Sequence, residues 1–411
     1  MVDRAMIDDP KDAIRQALLP RRLEIMGQHA AWIRHHEDSA LEHVIDGADL
    51  DPGCITPYLE ECRSERQHNL WRYLRYYGAI PYSEYVGRRQ RFLIRDAGHS
   101  GHPVMGIAAL GSSIMQLRVR DRWIGWQIDT GLSQEERERR ARHELGYKDA
   151  LALMRERRER NRALREIKKT RIAAVADLYV SQAVPPYNEL TAGKLLCLMM
   201  VSNEVRALYR AKYAGRLTHI VRREMTELAL IVTTSVFGLH SSLYNRLRFR
   251  DQLAYIPIGE TVGFGTAQVG AAQFQEMRRY LAERDQEPSH VFGSGGNWRM
   301  RVIRSYHDLR RKLEPGHALD GNDALLHGHR RGVYVAPLAH NSRAYLIGED
   351  DTLQPYDWPL DELVSWWRER WLRTRMANPE VMARVRAFRK DTYRVSAFIP
   401  DLPSLAVCTD R

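Results

Sequence analysis

The stretch with the most specific chemistry is Asp177–Arg210, DLYVSQAVPPYNELTAGKLLCLMMVSNEVRALYR. A short β-type run, Leu178–Val184, leads into a turn with two prolines, Asn188 and Gly193, and an apolar helix begins near Lys194. Strand, turn and helix N-terminus together suit an anion: unpaired N–H groups point out of such a turn, and the helix dipole adds partial positive charge. Tyr187, Asn188, Thr191, Ala192, Gly193 and Lys194 are therefore the candidate cofactor-binding residues, with an ordinary βα connection as the competing reading. A metal-dependent nuclease would need carboxylates or histidines to converge on an ion. Asp121, Asp177, Glu189, Glu204 and Glu260 are the candidates, with His99, His102, His327 and His329 beside them. Their spacing matches no ligand motif, so no metal is assigned. Asp121 also follows Arg120 and precedes Trp123 and Trp126, where a charged pair would line a pocket or cap the core. Ser294 in GSGGN lacks a nucleophile-elbow context, and GETVGFG lacks a P-loop lysine.

Composition narrows the partner. A formal net charge of +11 points to an anionic one, most often nucleic acid. Cys54, Cys62, Cys197 and Cys408 are scattered without a CxxC pair, which favours a reducing cytoplasm over a disulfide framework or zinc site. The first twenty residues are too charged for a signal peptide, and no apolar run is long enough to span a bilayer.

The elements that must carry these residues follow from periodicity. Residues 1–84 read as a helical N-terminal region, with a helix over Tyr58–Tyr77. Arg91–Arg95 and Val104–Leu110 read as strands of a hairpin. Ser133–Lys169 reads as a long charged helix or helix pair opened by a Ser133/Glu136 capping box. Glu227–Ser235 reads as a strand buried on both faces. A short helix from Ser241, a strand at Ala254–Ile258, a helix over Gln273–Glu283 and a basic helix over Arg299–Arg311 come next. A strand after Arg330–Arg331 and a helical Leu360–Lys390, carrying Trp366, Trp367 and Trp371, complete the chain. The expected fold is α+β or α/β: a mixed twisted sheet with flanking helices. Its divisions are a helical region at 1–84, an α/β core at 85–285 with a charged helical insertion at 133–170, a basic extension at 286–348, and a Trp-rich helical region at 349–411.

Two resemblances attach to these residues. AVPPYNELTAGKLL, TELALIVTTS and SSLYNRLRF resemble the strand-to-helix turn, next strand and following helix of the GNAT superfamily of N-acetyltransferases. That likeness implies a GNAT-like core, acetyl-CoA at the turn and Tyr244 as general acid. The turn departs from the family's Q/R-x-x-G-x-G/A by keeping one glycine and placing Glu189 where phosphate would be repelled. The ligand is thus left open between acetyl-CoA, a nucleotide and a nucleic-acid phosphate. Across residues 65–345, GHPVMGIAALGSS, RDRWIGW, QAVPPYNELTAGKLLCLMMVSNEV, IGETVGFGT and HGHRRGVYVAPLAHN resemble the A-component family of Druantia anti-phage defence systems. That likeness implies bacterial antiviral defence beside a large helicase-like partner.

Together these point to a defence protein that binds DNA or another nucleic acid on a GNAT-like scaffold. Lys168, Lys169, Arg171, Arg299, Arg301, Arg304, Arg330 and Arg331 are the expected phosphate contacts, and Tyr187, Tyr244 and Phe264 the expected stacking residues. The alternatives are an acyltransferase-like enzyme using Tyr244, Glu189 and Asp121, and a nuclease.

Overall fold

The structure is a computed structural model that describes residues 10–399 apart from 86, 129–132, 219–220, 240–242, 264–265, 267–268, 290–297, 315, 318–320, 322 and 326–329. In chain order, α1 (Pro10–Gln28) and α2 (Ala30–Leu41) precede an edge strand, β1 (Pro57–Glu61), and α3 (Glu65–Arg75). β2 (Arg89–Asp96) and β3 (Val104–Ser112) form the expected hairpin. α4 (Arg118–Ile124), α5 (Gln134–Ala141) and α6 (Tyr147–Arg171) lead to β4 (Val175–Ala183), α7 (Ala192–Met199), α8 (Asn203–Tyr213) and β5 (Leu230–Ser235). A two-stranded ribbon, β6 (Arg248–Phe249) with β7 (Gln252–Leu253), precedes β8 (Ile256–Glu260), α9 (Ala271–Ala282), α10 (Trp298–Leu313) and β9 (Gly332–Pro337). α11 (Ser342–Ile347), α12 (Leu360–Trp367), α13 (Arg373–Met376) and α14 (Pro379–Ala387) follow.

Seven strands make one mixed sheet in the order β1-β2-β3-β4-β5-β9-β8. Every neighbouring pair is antiparallel except β4 and β5. Those two run parallel for three residue pairs, Val175↔Leu230 to Asp177↔Val232, and then part. Alternation in β2 assigns the faces. Phe92 and Ile94 join a core with α7, α8 and the C-terminal helices, to which Leu363, Trp367, Leu372, Val381 and Val385 contribute. Leu93 joins the opposite core with Trp71 and Leu74 of α3 and Ile33 and Leu41 of α2. Further along that face, Val175, Leu230, Val232, Val333 and Val335 pack with Ile124, Tyr345 and Leu346. The α7–sheet contact is close because Gly106 has no side chain: a Cβ there would lie 2.4 Å from Leu196.

Two sequence expectations change. Tyr58–Glu61 is strand, because the helix begins only after Ser64, whose capping box with Gln67 starts α3. Leu360–Lys390 stays helical through Met376 with a π stretch at Arg368–Leu372, then breaks at Ala377 and Asn378 and restarts at Pro379 under the Asn378 cap. The N- and C-terminal regions pack on the one sheet. Buried Glu37 of α2 accepts hydrogen bonds from Tyr73 Oη (2.8 Å), Ser396 N (3.0 Å) and Ser396 Oγ (2.5 Å), which pins residues near 396 across α2 and α3. The Ser133/Glu136 capping box is present, and Glu136 also pairs with Arg157 at 2.7 Å, folding α5 back on α6.

Candidate functional site

The turn after β4 is closed on itself. The amides of Glu189, Leu190, Thr191, Ala192 and Lys194 donate to carbonyls of Pro186, Tyr187, Asn188, Tyr187 and Thr191, not outward. Thr191 adopts the left-handed region at φ 63 and starts α7 with no side-chain cap. Trp367 Nε1 lies 3.2 Å from both Thr191 O and Oγ1, covering the turn. Tyr187 is fully buried and donates to Asp96 Oδ2 at 2.9 Å, so it offers no ring face to a base. Glu189 pairs with Arg384 of α14 at 2.9 Å and is touched by Asn188 Nδ2 at 3.3 Å. Gly193 has φ outside the left-handed region and open space where a Cβ would stand, so neither crowding nor strain demands glycine there.

The gap between diverging β4 and β5 is filled. Thr233 Oγ1 donates across it to Leu178 O at 2.9 Å, and Tyr244 Oη lies 3.3 Å from Thr233 Oγ1. Tyr255 and Tyr334 pack on the Tyr244 ring at 5.0 and 5.1 Å between centroids. Tyr255 Oη donates to Cys197 O at 2.9 Å, and Cys197 Sγ lies 3.3 Å from Ser181 Oγ. Burial pushes the Tyr244 hydroxyl well above the usual phenol range and the Cys197 thiol up to about 12. Both groups are therefore neutral core members.

Asp121 lies elsewhere, among buried cations. Arg120 is fully buried and donates to Asp121 Oδ1 from Nε (3.0 Å) and Nη2 (2.6 Å), and from Nη1 to Ser113 Oγ and Ile114 O at 2.6 Å each. Lys168 Nζ meets Asp121 Oδ2 at 2.7 Å. Ser113 Oγ in turn donates to Asp177 Oδ1 at 2.6 Å, so the network ties β3, β4, α4 and α6 together. Tyr244, Glu189 and Asp121 are not brought to one place.

The remaining metal candidates hold structural contacts. Asp96 accepts from His99 Nδ1 at 2.8 Å, while His99 Nε2 accepts from Asp51 N at 2.9 Å. His102 touches Tyr58 Oη at 3.0 Å, and Glu204 accepts from Leu360 N at 3.0 Å, capping α12. Among the described residues no group of three or more His, Cys, Asp or Glu is gathered to hold a metal ion. Phe264, Ser294, His327 and His329 lie outside the described residues.

Most of the expected phosphate contacts are engaged internally. Lys168 faces Asp121, Lys169 pairs with Glu166 at 2.7 Å, and Arg171 pairs with Asp351 at 2.8 Å while lying 4.3 Å from the Tyr345 ring. Arg299 donates to Val269 O at 2.5 Å and stacks on Phe274, and Arg301 donates to Ser289 O at 2.7 Å. Arg304 is folded against Gly321. Arg331 is half-buried, which lowers its pKa, and Arg330 is exposed.

A different cationic group forms around Lys194, the one turn residue with a positive charge. Its ammonium lies 4.8 Å from the Trp371 ring, and Arg370 lies 5.7 Å from Trp371 and 5.9 Å from Trp366. Burial lowers the Lys194 pKa, and the guanidinium groups of Arg375, Arg246 and Arg370 lower it further. Arg246, Arg370 and Arg375 are exposed, and the nearby acids Glu369 and Glu189 turn instead to Arg373 and Arg384. Three exposed guanidinium groups and the half-buried Lys194 ammonium thus gather with two half-buried tryptophans near the start of α7. The signal lay in WWRERWLRTR at 366–375, where aromatics and arginines alternate. That segment joins Lys194 and Arg246 only in the fold.

The family model described as Druantia protein DruA matches this chain over residues 8–137 and 132–348. A protein named Druantia protein DruA, from Escherichia coli strain UMEA 4076-1, is 28% identical over 381 residues, covering 90% of this chain and 81% of that protein. No solved structure matches the chain.

Proposed function

Because this chain belongs to the Druantia protein DruA family, a component of bacterial anti-phage defence, we propose that it acts there by binding DNA at the Lys194, Arg246, Arg370 and Arg375 face. The observation that carries the reading is this group of cations, which no carboxylate among the described residues pairs with, set among Trp366 and Trp371. Mutual repulsion among them is relieved by an anion, and backbone phosphates supply one. Half-buried indole rings offer stacking surfaces to unpaired bases, so single-stranded DNA is the preferred form. A helicase-like partner, implied by the family, would generate such strands, and the setting is the cytoplasm. Among the described residues no helix is long and apolar enough to cross a membrane.

We infer further that the scaffold is GNAT-like. Support comes from the single parallel pair β4/β5, its divergence after three residue pairs, and the turn and α7 that follow β4. The acyltransferase reading stands second on the same sheet order, and it would require the filled gap around Tyr244 to open. Calorimetry with acetyl-CoA tests it; heat that is lost in Tyr244→Phe would raise it above DNA binding.

Fluorescence anisotropy with labelled oligonucleotides tests the main reading. Arg370→Ala/Arg375→Ala is expected to weaken single-stranded DNA binding, and Trp371→Ala to reduce the preference for single over double strands. Unchanged affinity in both variants would refute the placement of the interface.

A further inference from the structure

A charged cavity lies at the far corner of the sheet, away from the turn. Edge strand β1 stops at Glu61, opposite Phe92, while β2 runs on through Arg89 and Arg91. The corner is therefore open to helices from both faces. α3 brings His68 from one side and α8 brings Lys212 from the other. With Arg89, Arg91 and Glu84 these residues line a cavity of about 500 Å³. That volume matches ordinary small-ligand sites.

Its lining carries more positive than negative charge. Arg91 stacks its guanidinium 4.6 Å above the Trp71 ring, with its side chain 13% exposed, and its Nε is buried without a hydrogen-bond partner. His68 Nδ1 is likewise buried without a partner. Arg89 and Arg91 share Glu84 Oε2, at 2.9 and 3.4 Å. Lys212 and Arg63 share Glu61, at 2.9 and 3.2 Å. In the lining itself three cations, Arg89, Arg91 and Lys212, thus stand against one carboxylate, Glu84. Burial lowers the His68 pKa, and Arg91, Lys212 and Arg89 lower it further against Glu61. Like charges gathered around a cavity repel one another, and a bound anion offsets that repulsion.

We propose that this cavity binds a small phosphate ester bearing hydroxyl groups, with Arg91, Arg89, Lys212 and His68 on the phosphate side and Glu84 accepting from the hydroxyls. Arginine stacked on an indole and held at its outer edge by one carboxylate is a pre-positioned phosphate fork. Glu84 bars a bare anion from the whole cavity but suits a ligand that also carries donors. A nucleotide and a sugar phosphate share this chemistry.

The test is isothermal titration of the full chain with AMP, glucose 6-phosphate and inorganic phosphate at low salt. The expected result is saturable binding of at least one ester, tighter than inorganic phosphate, and weakened about tenfold or more by Arg91→Gln and by Lys212→Met. Arg370→Ala/Arg375→Ala should leave it unchanged, which separates this site from the DNA face. No binding of either ester, or binding that is indifferent to Arg91→Gln and Lys212→Met, overturns the proposal. Loss of binding in Arg370→Ala/Arg375→Ala instead also overturns it. Should the cavity variants fail to fold, the His68 ring resonance of the wild-type chain must shift with added ester. A resonance unmoved at saturation refutes the site.

Discussion

Asp121→Ala separates a structural network from a catalytic group. Asp121 is the carboxylate paired with fully buried Arg120, and its second oxygen holds Lys168, 13% exposed. Truncation leaves Arg120 bonded only to neutral oxygens and places two cations side by side in a poorly solvated region. Breaking one partner out of a buried ion pair costs about 3–5 kcal/mol. At about 2.1 cal/mol/K per residue, a 411-residue chain unfolding as one unit loses about 5 °C in Tm for about 4 kcal/mol. Asp121→Asn, which keeps an acceptor, should lose less. Lys168→Met placed on Asp121→Ala should recover part of the loss, because the like-charge contact is gone. Thermal melts of the four proteins, with single-stranded DNA affinity measured well below each midpoint, give the readout. DNA affinity should be unchanged. An Asp121→Ala protein that melts like wild type, or that melts normally yet loses phage protection in cells, would refute the structural assignment.

Other outcomes follow from the same geometry. For Glu37, burial pushes the pKa up, but bonds from Ser396 and Tyr73 and the charge of Arg394 outweigh it, leaving the pKa below its ordinary 4.5. The ionised group therefore adds stability that is fully present above 4.5 and lost as pH falls through the lower folded value. Urea unfolding of Glu37→Gln should show about 2 kcal/mol less stability at pH 7 and a shallower acid dependence; an unchanged acid slope would count against it. Tyr244→Phe should cost about 1 kcal/mol for the lost hydroxyl contact and leave phage protection intact, whereas lost protection at unchanged stability would point to chemistry at that hydroxyl. Gly193→Ala should melt at or slightly above the wild-type temperature, since its added methyl meets nothing within 4 Å. Gly106→Ala should lose about 1–3 kcal/mol against Leu196 and Gln182, and equal melting of the two variants would contradict the packing described.

The sheet was legible where burial was two-sided. Val104–Leu110, Leu178–Val184 and the continuous apolar run Glu227–Ser235 read as strands, and they cover most of β3 and β4 and all of β5. Edge strand β1 was hidden because PYLEE is short, half-buried throughout and followed within four residues by a strong helix. The site was less legible than the fold. A run of basic residues says nothing about which charges already have partners, and here the partners come from far away: Asp121 for Lys168, Asp351 for Arg171. Conversely, Lys194, Arg246 and the Arg370–Arg375 segment are far apart in sequence and come together only when α7 packs on α12. Even the turn that drew attention first holds its amides inward, so its charge comes from Lys194 and its neighbours.

The most direct test of the DNA-binding account is the salt dependence of single-stranded DNA affinity. Each phosphate neutralised on single strands contributes about 0.7 to the slope of log affinity against log salt. Four contacts from Lys194, Arg246, Arg370 and Arg375 thus predict a slope of about −3, and Arg370→Ala/Arg375→Ala should bring it to about −1.5. A wild-type affinity indifferent to salt, or a slope that the double substitution does not change, would contradict the account.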